Sequence, residues 1–575
     1  MKAKTTSFAR LYTPEGEALA ADTARQPWDT YPRPTLRRDG WLNLNGWWDF
    51  TITQDGESVP TTYNRTIRVP FCPESLLSAI DEVPTAGSHL WYRRTFTLPE
   101  GFRRERVLLH IGAADQTACV YLNGRFAGKH TGGYTPITMD ITDHLEEENV
   151  LEIQVTDNLP DTTLPYGKQC HRRGGMWYTP VSGIWQTVWL ESVPDPYVTA
   201  LTVIPREDGA TIHAHGVTEG IVTVTTPDGP LTVPLTEGKA DISLPQPRLW
   251  CPEDPYLYEF TLTTAEDTVA SYFALRTLDT RVVDGIPRLC LNGRPVFFHA
   301  VLDQGYWSDG LFLPATPDGY TFDIEKMQEL GFNTLRKHIK IEPEQFYYEC
   351  DRLGMLVWQD MINNGDYSFL RDTALPTVGL KRLPDRLLHR DKTTRAAFEQ
   401  TMQDTVALLN QHPCIVGWTI FNEGWGQFDS QRQYERLKAL DPTRFIDTAS
   451  GWFAGADSDV VSEHVYFKPY RFRESKKPVF LSEFGGYSYK PAGHVFNEKD
   501  TYGYRFFSEE EAYRRAVATL YEREIVPAVP RGLCGAVYTQ LSDVEDETNG
   551  LYSYDRRVCK VDPAVMKALA EKLKP

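Results

Sequence analysis

From about Arg281 onward the chain alternates short apolar runs with stretches of helical period, and the number of those runs limits the possible folds more than any other feature. Eight can be read: VFFHAVLDQ, TLRKHI, LVWQDM, IVGWTIFNE, FIDTAS, VVSEHVY, VFLSEFG and GAVYTQLSD. Helical patterns lie between most of them, among them FDIEKMQELG, PEQFYYECDRLG, TRAAFEQTMQDTVALLNQHP, SQRQYERLKAL and EEEAYRRAVATLYERE. Strands that alternate with helices argue for βα units and a parallel sheet. Eight such units in about 290 residues match a (β/α)8 barrel in number and length. The helical signal is weak in the fifth and sixth units. The stretch from Asn363 to Lys392, after the third run, is too long for a plain βα connection and is a candidate active-site wall.

Upstream the rhythm differs. Between Gly40 and Glu191 short alternating runs such as WYRRTFTLP, VLLHIG, ACVYLNGRFAGKH and VLEIQVTD are broken by turn residues, which argues for a β-sandwich. Within it, Asn123-Gly124 supplies the positive φ angles of a tight hairpin. The style repeats from Pro194 to Leu278 in VTVTTPDGPLTVPL and YLYEFTLTT, a second and smaller sandwich. The expected units are residues 1–193, 194–283 and 284–575, in line with the roughly three or four that 575 residues suggest at about 150 per domain.

Composition narrows the function. A formal net charge of -18 repels phosphate backbones, so nucleic acid is not an expected partner. The start MKAKTTSFARLYTPEGEALA has no apolar run of signal-peptide length, and no window approaches the roughly 20 apolar residues of a spanning helix. A cytoplasmic protein without membrane partners is the expectation. Nine Cys with no CxxC pair read as reduced thiols, not as a disulfide frame or zinc site. Neither a metal nor another cofactor is signalled. Aromatic residues make up 12% of the chain, with 14 Trp, which serves sandwich cores first and sugar stacking second.

In a (β/α)8 barrel, chemistry sits at the C-terminal strand ends. Glu423 ends the fourth run, and Glu483 ends the seventh in the same pattern of apolar run, acid, glycine. Alone, Asn422-Glu423 reads equally well as a helix N-cap with an acid that compensates the dipole. Two carboxylates on separate strands of one barrel are another matter. They can converge across its mouth, one protonated to donate and one ionised to attack, which is what glycoside hydrolysis needs without a cofactor.

Several ordered stretches resemble glycoside hydrolase family 2, the β-galactosidases, β-glucuronidases and β-mannosidases, over nearly the whole length. VPFCPES, LWYRRTF and LNGRFAGKHTGGYTPITMDIT are similar to the family's sugar-binding-like jelly roll, and GGMWYTPVSGIWQTVWLE to its closing strands. LWCPEDPYLYEFTL resembles the end of the immunoglobulin-like domain, and LNGRPVFFHAVLDQGYW the start of the barrel. The resemblance implies an N-terminal jelly-roll β-sandwich, an immunoglobulin-like β-sandwich and a C-terminal TIM barrel. It implies Glu423 as acid/base and Glu483 as nucleophile of a retaining double displacement, with their carboxyl groups about 5 to 5.5 Å apart. Asn422 would hold the 2-hydroxyl, Arg336 would lie beside the nucleophile and keep it ionised, and Tyr466 would contact it. Asp157 would be lent to the sugar pocket by the jelly roll.

His338 stands two residues after the arginine where relatives typically have three, an offset that changes the strand face and leaves a pocket or a packing role open. Tyr538 takes the eighth-strand place of a frequent tryptophan and would floor the sugar. Asp303, Trp307 and Trp425 are pocket-wall candidates because they follow strand ends. Two departures bear on the substrate. Where the family's β-glucuronidases carry Asn-x-Lys before a glycine, this chain reads Glu547-Thr548-Asn549-Gly550, an acid where a cation is wanted. Where its large β-galactosidases hold a divalent ion near the third strand, this chain reads VWQDM. The resemblance therefore implies a metal-independent, exo-acting β-glycosidase acting on an oligosaccharide or glycoconjugate with a neutral terminal sugar, galactosyl first. β-Glucuronidase, furanosidase, transglycosylase and a carbohydrate-binding protein without catalysis remain alternatives. A homo-oligomer is possible, since relatives often associate.

Overall fold

The structure is a computed structural model, and it describes residues 8–159, 161–374 and 385–575. The first seven residues of the stretch MKAKTTSFARLYTPEGEALA and residues 375–384 of the long loop after the third run lie outside the described residues.

The first layer pair is an antiparallel sandwich. A four-stranded sheet in the order 41–43, 188–193, 106–111, 137–140 faces a six-stranded sheet in the order 65–69, 46–54, 88–96, 149–156, 117–122, 125–131. Strict alternation in Asn149–Thr156 turns Leu151, Ile153 and Val155 into a core shared with Trp48, Phe50, Tyr92 and Leu190. The Asn123-Gly124 turn has positive φ at both residues, 53° and 73°, as the hairpin reading expects. The second unit is a seven-stranded sheet that folds on itself. Its halves meet at a single pair, Thr236 with Lys239, and their inward residues, among them Ile212, Val224, Ile242 and Phe260, share one core.

All eight apolar runs become parallel strands: β1 (Phe298–Asp303), β2 (Thr334–Lys337), β3 (Leu356–Asp360), β4 (Ile415–Asn422), β5 (Phe445–Ser450), β6 (Val461–Val465), β7 (Val479–Gly485) and β8 (Leu533–Thr539). Every residue of β4 is buried, because helices cover one face and the barrel core the other. The ladder runs β5-β4-β3-β2-β1-β8-β7-β6 and stops there, so β5 and β6 flank a seam without a strand ladder. Side chains and a few backbone bonds close that seam: Asp459 N donates to Ile446 O (2.9 Å), and Ser450 Oγ lies 3.3 Å from Ser462 Oγ. Among the described residues no helix fills the β5–β6 or β6–β7 connections, where the helical signal was weak.

One sandwich loop, residues 157–182, reaches over the barrel mouth. Tyr166 N donates to Asn363 O (3.1 Å) and its hydroxyl to Gly365 O (2.9 Å), while Gly365 N returns a bond to Thr162 O (2.7 Å). Gly167 adopts φ +68°, and a Cβ there would meet Ile339 O and the Tyr134 hydroxyl at 2.9 Å, so only glycine lets the loop lie this close. No described helix is long and apolar enough to cross a membrane, and all nine cysteines are unbridged.

Candidate active site

The two glutamates converge. Glu483 lies in β7, and Glu423 follows β4 with φ +51°, a left-handed conformation that β-branched residues avoid and that here turns the side chain into the mouth. A carboxylate oxygen of each, together with a ring nitrogen of His464, falls within 4.8 Å of the others.

Arg336, fully buried on β2, is the hub beneath them. Its guanidinium donates to Asp360 Oδ1 (3.0 Å), Glu483 Oε1 (3.2 Å), Ser482 O (2.9 Å) and Asn422 Oδ1 (2.9 Å). Asp360 and Glu483 raise its pKa against the burial that lowers it, so it stays a cation. The Tyr466 hydroxyl donates to Glu483 Oε2 and lies 3.0 Å from Thr539 Oγ1, with its ring stacked on Tyr504 at 3.6 Å. Burial pushes the Glu483 carboxyl above the usual glutamate range, and the charge of Glu423 adds to it; His464, Arg336 and Tyr466 pull the other way. Arg336 acts in the expected direction, toward the ionised form, but burial outweighs it and the net shift is upward.

His338 Nδ1 lies 2.6 Å from Asp360 Oδ2, so two residues on it shares the strand face of Arg336, as period two requires. Burial depresses its pKa to about 3, which makes it a neutral ring that fixes Asp360. Trp425 is a wall of the mouth. It packs against Trp177 (5.4 Å) from the sandwich loop and Tyr367 (5.9 Å), and Lys168 Nζ stands 4.7 Å above its ring.

Three strand-end residues lie elsewhere. Tyr538 points out of the barrel, where its ring packs on Phe484 (5.7 Å) and Tyr521 (6.4 Å); its neighbour Thr539 is the one that faces the site, because adjacent strand residues take opposite faces. Asp303 accepts from Lys337 Nζ (2.6 Å) and Gly305 N (2.8 Å). Burial raises its pKa, but Lys337 outweighs that and holds it low, so the carboxylate belongs to an ion cluster with Lys337 and Glu342 outside the pocket. Trp307 is buried under the Arg556 guanidinium (4.1 Å) and against Tyr320 (6.2 Å), as core packing. Asp157 is lifted by burial to about 7, and its charge acts on Asp115 and Glu74 in the sandwich.

Sequence reasoning missed His464, Asp360 and Lys168. His464 is two residues before Tyr466 and so on the same strand face, which was a readable signal; its Nδ1 lies 2.8 Å from Glu423 Oε1 and 3.4 Å from Glu483 Oε2. Asp360 ends β3 in the VWQDM stretch. Lys168 comes from the sandwich loop, where nothing local marks it. Its ammonium is buried, which lowers its pKa, and Glu547, Glu483 and Glu423 are the acids that raise it. Glu547 in turn accepts from the Tyr178 hydroxyl and from Asn549 Nδ2 (3.2 Å). Glu423, His464 and Glu483 are the one group of described residues close enough to ligate a metal together. His464 Nδ1 and Glu423 Oε1 lie at hydrogen-bond distance, 2.8 Å, and the Arg336 charge on Glu483 opposes a cation there.

Three family models match in chain order: the "Glycosyl hydrolase 2 galactose-binding domain-like" over residues 65–171, "Glycosyl hydrolases family 2" over 204–276, and "Glycosyl hydrolases family 2, TIM barrel domain" over 285–498. The chain belongs to glycoside hydrolase family 2. Among curated relatives of this family-2 chain, the β-galactosidase of Thermoanaerobacter pseudethanolicus is 23% identical over 384 residues, 62% of this chain and only 47% of that protein. The β-glucuronidase of Homo sapiens is 24% identical over 466 residues, 69% of this chain and 68% of its own. The solved β-D-glucuronidase of Dictyoglomus thermophilum superposes with a TM-score of 0.69 at 18% identity, over 94% of this chain and 98% of its own. The β-galacturonidase of Eisenbergiella tayi bound to galacturonate does so with 0.67 at 20%, over 95% and 99%. At these identities the superpositions establish the shared fold.

Proposed function

We propose that this family-2 chain is a retaining, exo-acting β-glycosidase that releases a terminal β-uronosyl unit. The carrying observation is the pair of glutamates with carboxylate oxygens within 4.8 Å, one braced by Arg336 and Tyr466 and the other paired with His464. Inverting enzymes keep their carboxyl groups roughly 6.5–9.5 Å apart to admit a water, so this spacing favours direct attack.

In the first step a Glu483 oxygen attacks the anomeric carbon, the bond to the leaving oxygen breaks, and the proton of Glu423 goes to that oxygen. In the second, Glu423 takes a proton from water as the water oxygen attacks, and the ester to Glu483 breaks. The Arg336 bond fixes Asn422 with Oδ1 toward the guanidinium, which turns its amide N–H groups toward the place of the 2-hydroxyl, where donation strengthens as charge develops. The loop bearing Lys168 and Trp177 closes one side of the mouth, which suits removal of terminal units.

The neutral galactosyl unit expected from sequence gives way to a uronosyl unit on two grounds. The named relatives are mostly β-glucuronidases, with a β-galacturonidase among the solved structures. The lysine missing from the Glu547-Thr548-Asn549 stretch has a counterpart in Lys168, a buried ammonium on which the charges of Glu547, Glu483 and Glu423 act. A neutral sugar remains the second reading, because Glu547 shares the Lys168 charge.

Nitrophenyl β-glucuronide, β-galacturonide, β-galactoside and α-arabinofuranoside, each with and without chelator, test this. Turnover of a uronide at least tenfold above the neutral sugars, indifferent to chelator, is expected; turnover of neutral sugars alone overturns the uronosyl reading. Glu483→Gln should abolish turnover with the fold intact, and full remaining activity would sink the nucleophile assignment.

A further inference from the structure

Strand β5 carries a buried acid that the double displacement does not use. Asp447 Oδ2 accepts from Ser462 Oγ (2.6 Å) across the seam on β6. Ser462 Oγ lies 3.3 Å from Ser450 Oγ, Ser450 Oγ lies 2.9 Å from His464 Nε2, and His464 Nδ1 lies 2.8 Å from Glu423 Oε1. Five side chains form one line from the barrel interior to the acid/base.

We propose that Asp447, acting through Ser462 and Ser450, is a positioning residue that sets the tautomer of His464 and thereby keeps a transferable proton on Glu423. This rests on the reading of Glu423 as acid/base.

The argument is a count of protons. A hydroxyl has one proton to give and two lone pairs to receive with. Ionised Asp447 can only accept, so Ser462 spends its proton there. Ser462 can then only receive: from Ser450, which the Asp447 carboxylate also draws as a donor, and from Ser482, whose Oγ lies 2.6 Å away and has Glu463 O (3.2 Å) as its other acceptor. Ser450, having given its proton to Ser462, can only accept from His464, so Nε2 carries a hydrogen. A ring with hydrogen on Nε2 has a bare Nδ1 when neutral. Any proton on the line between Nδ1 and Glu423 is therefore a surplus one, which Glu423 can deliver whichever atom holds it. Reverse the line, with Ser450 donating to Nε2, and the hydrogen facing Glu423 is the only one a neutral imidazole has. It cannot be given up, and Glu423 is left a carboxylate with nothing to donate.

The surroundings fit that polarity. Burial pushes Asp447 up to about 6, Arg336 draws it down and Asp360 opposes this, so the anion prevails at neutral pH. His464 faces Glu423 and Glu483 on one side and the Trp452 ring at 5.6 Å on another, while Lys168 faces both glutamates.

The test separates leaving groups. A dinitrophenyl glycoside departs without a proton, whereas a phenyl glycoside of the same sugar needs one. Asp447→Asn can donate as well as accept, and Ser450→Ala cuts the line, so both release the polarity. Each is expected to lower kcat/KM for the phenyl glycoside about tenfold or more, toward the roughly 10²–10⁴-fold that general acid catalysis supplies, and for the dinitrophenyl glycoside less than twofold. The alkaline limb of the phenyl-glycoside profile should move to lower pH. Equal loss on both substrates, or an unchanged ratio in Ser450→Ala with an unchanged melting temperature, overturns the proposal. Glu423→Ala is the separate control: if it shows no preference between leaving groups, the acid/base reading fails, and not merely the line behind it.

Discussion

Replacing Lys168 by Met isolates the group that the uronosyl reading depends on. The ammonium is buried 4.7 Å above the Trp425 ring, and burial lowers its pKa, so it stands partly desolvated and poised for an anion. A hydrogen bond between a charged pair contributes about 1.5–3 kcal/mol, or roughly 10- to 150-fold in kcat/KM at about 1.4 kcal/mol per factor of ten. Methionine keeps the length of the stem and offers its sulfur to the indole, so the wall should stand and the melting temperature should not fall. Without Lys168, the foremost charge pulling the Glu547 pKa down is gone, and that acid moves toward its neutral form, harmless to an uncharged sugar. Steady-state kinetics on nitrophenyl β-glucuronide and β-galactoside measure the difference. Loss of roughly 10- to 150-fold on the uronide and under threefold on the galactoside is expected. Equal losses on both, or a loss confined to the galactoside, would refute the assignment of Lys168 to the substrate carboxylate.

Tyr466→Phe removes a donor that lowers the Glu483 pKa, so that pKa rises further, the ionised fraction at a given pH falls, and the acid limb of kcat/KM shifts to higher pH; an unmoved limb counts against it. Tyr538→Phe, outside the pocket, should leave kcat/KM within twofold for every substrate, and a tenfold loss would return that ring to the site. Asp303→Asn breaks a buried pair with Lys337 and should cost about 3–5 kcal/mol in denaturant unfolding while the folded fraction keeps its kcat. The native Asp303 pKa is depressed, so its stabilisation is present above the unfolded carboxylate pKa and fades as pH drops through the folded value; the wild-type and mutant stabilities should converge in acid.

The barrel was legible in the sequence because strands buried on both faces read as unbroken apolar runs, and all eight were found that way. Glu423 and Glu483 were legible because a carboxylate at such an end has no structural excuse twice over. Position along a strand does not say which face a residue takes, and that is where Tyr538 misled: Thr539, one residue on, faces the mouth. Asp303 misled because its partner, Lys337, lies on the next strand, at a separation no local pattern encodes. Lys168 was invisible for the same reason, since it reaches the site only through the docking of a sandwich loop on Asn363 and Gly365. His464 was within reach, two residues from Tyr466 on one face, had period two been applied there.

The seam between β5 and β6 gives the barrel a weakest joint, and its place is not neutral. Glu423 N bonds to Ser450 O (2.9 Å) at one lip, and His464 stands on the other, so the Glu423–His464 pair is assembled from both sides of the gap. Glu483 lies one strand in from the other lip, on β7, which is laddered to β6 on one side and β8 on the other. Warming is expected to part the lips before it unwinds the ribbon. The temperature at which half the activity is gone should therefore fall below that at which half the molecules are unfolded, and the species in that interval is expected to have lost the Glu423–His464 contact across the seam.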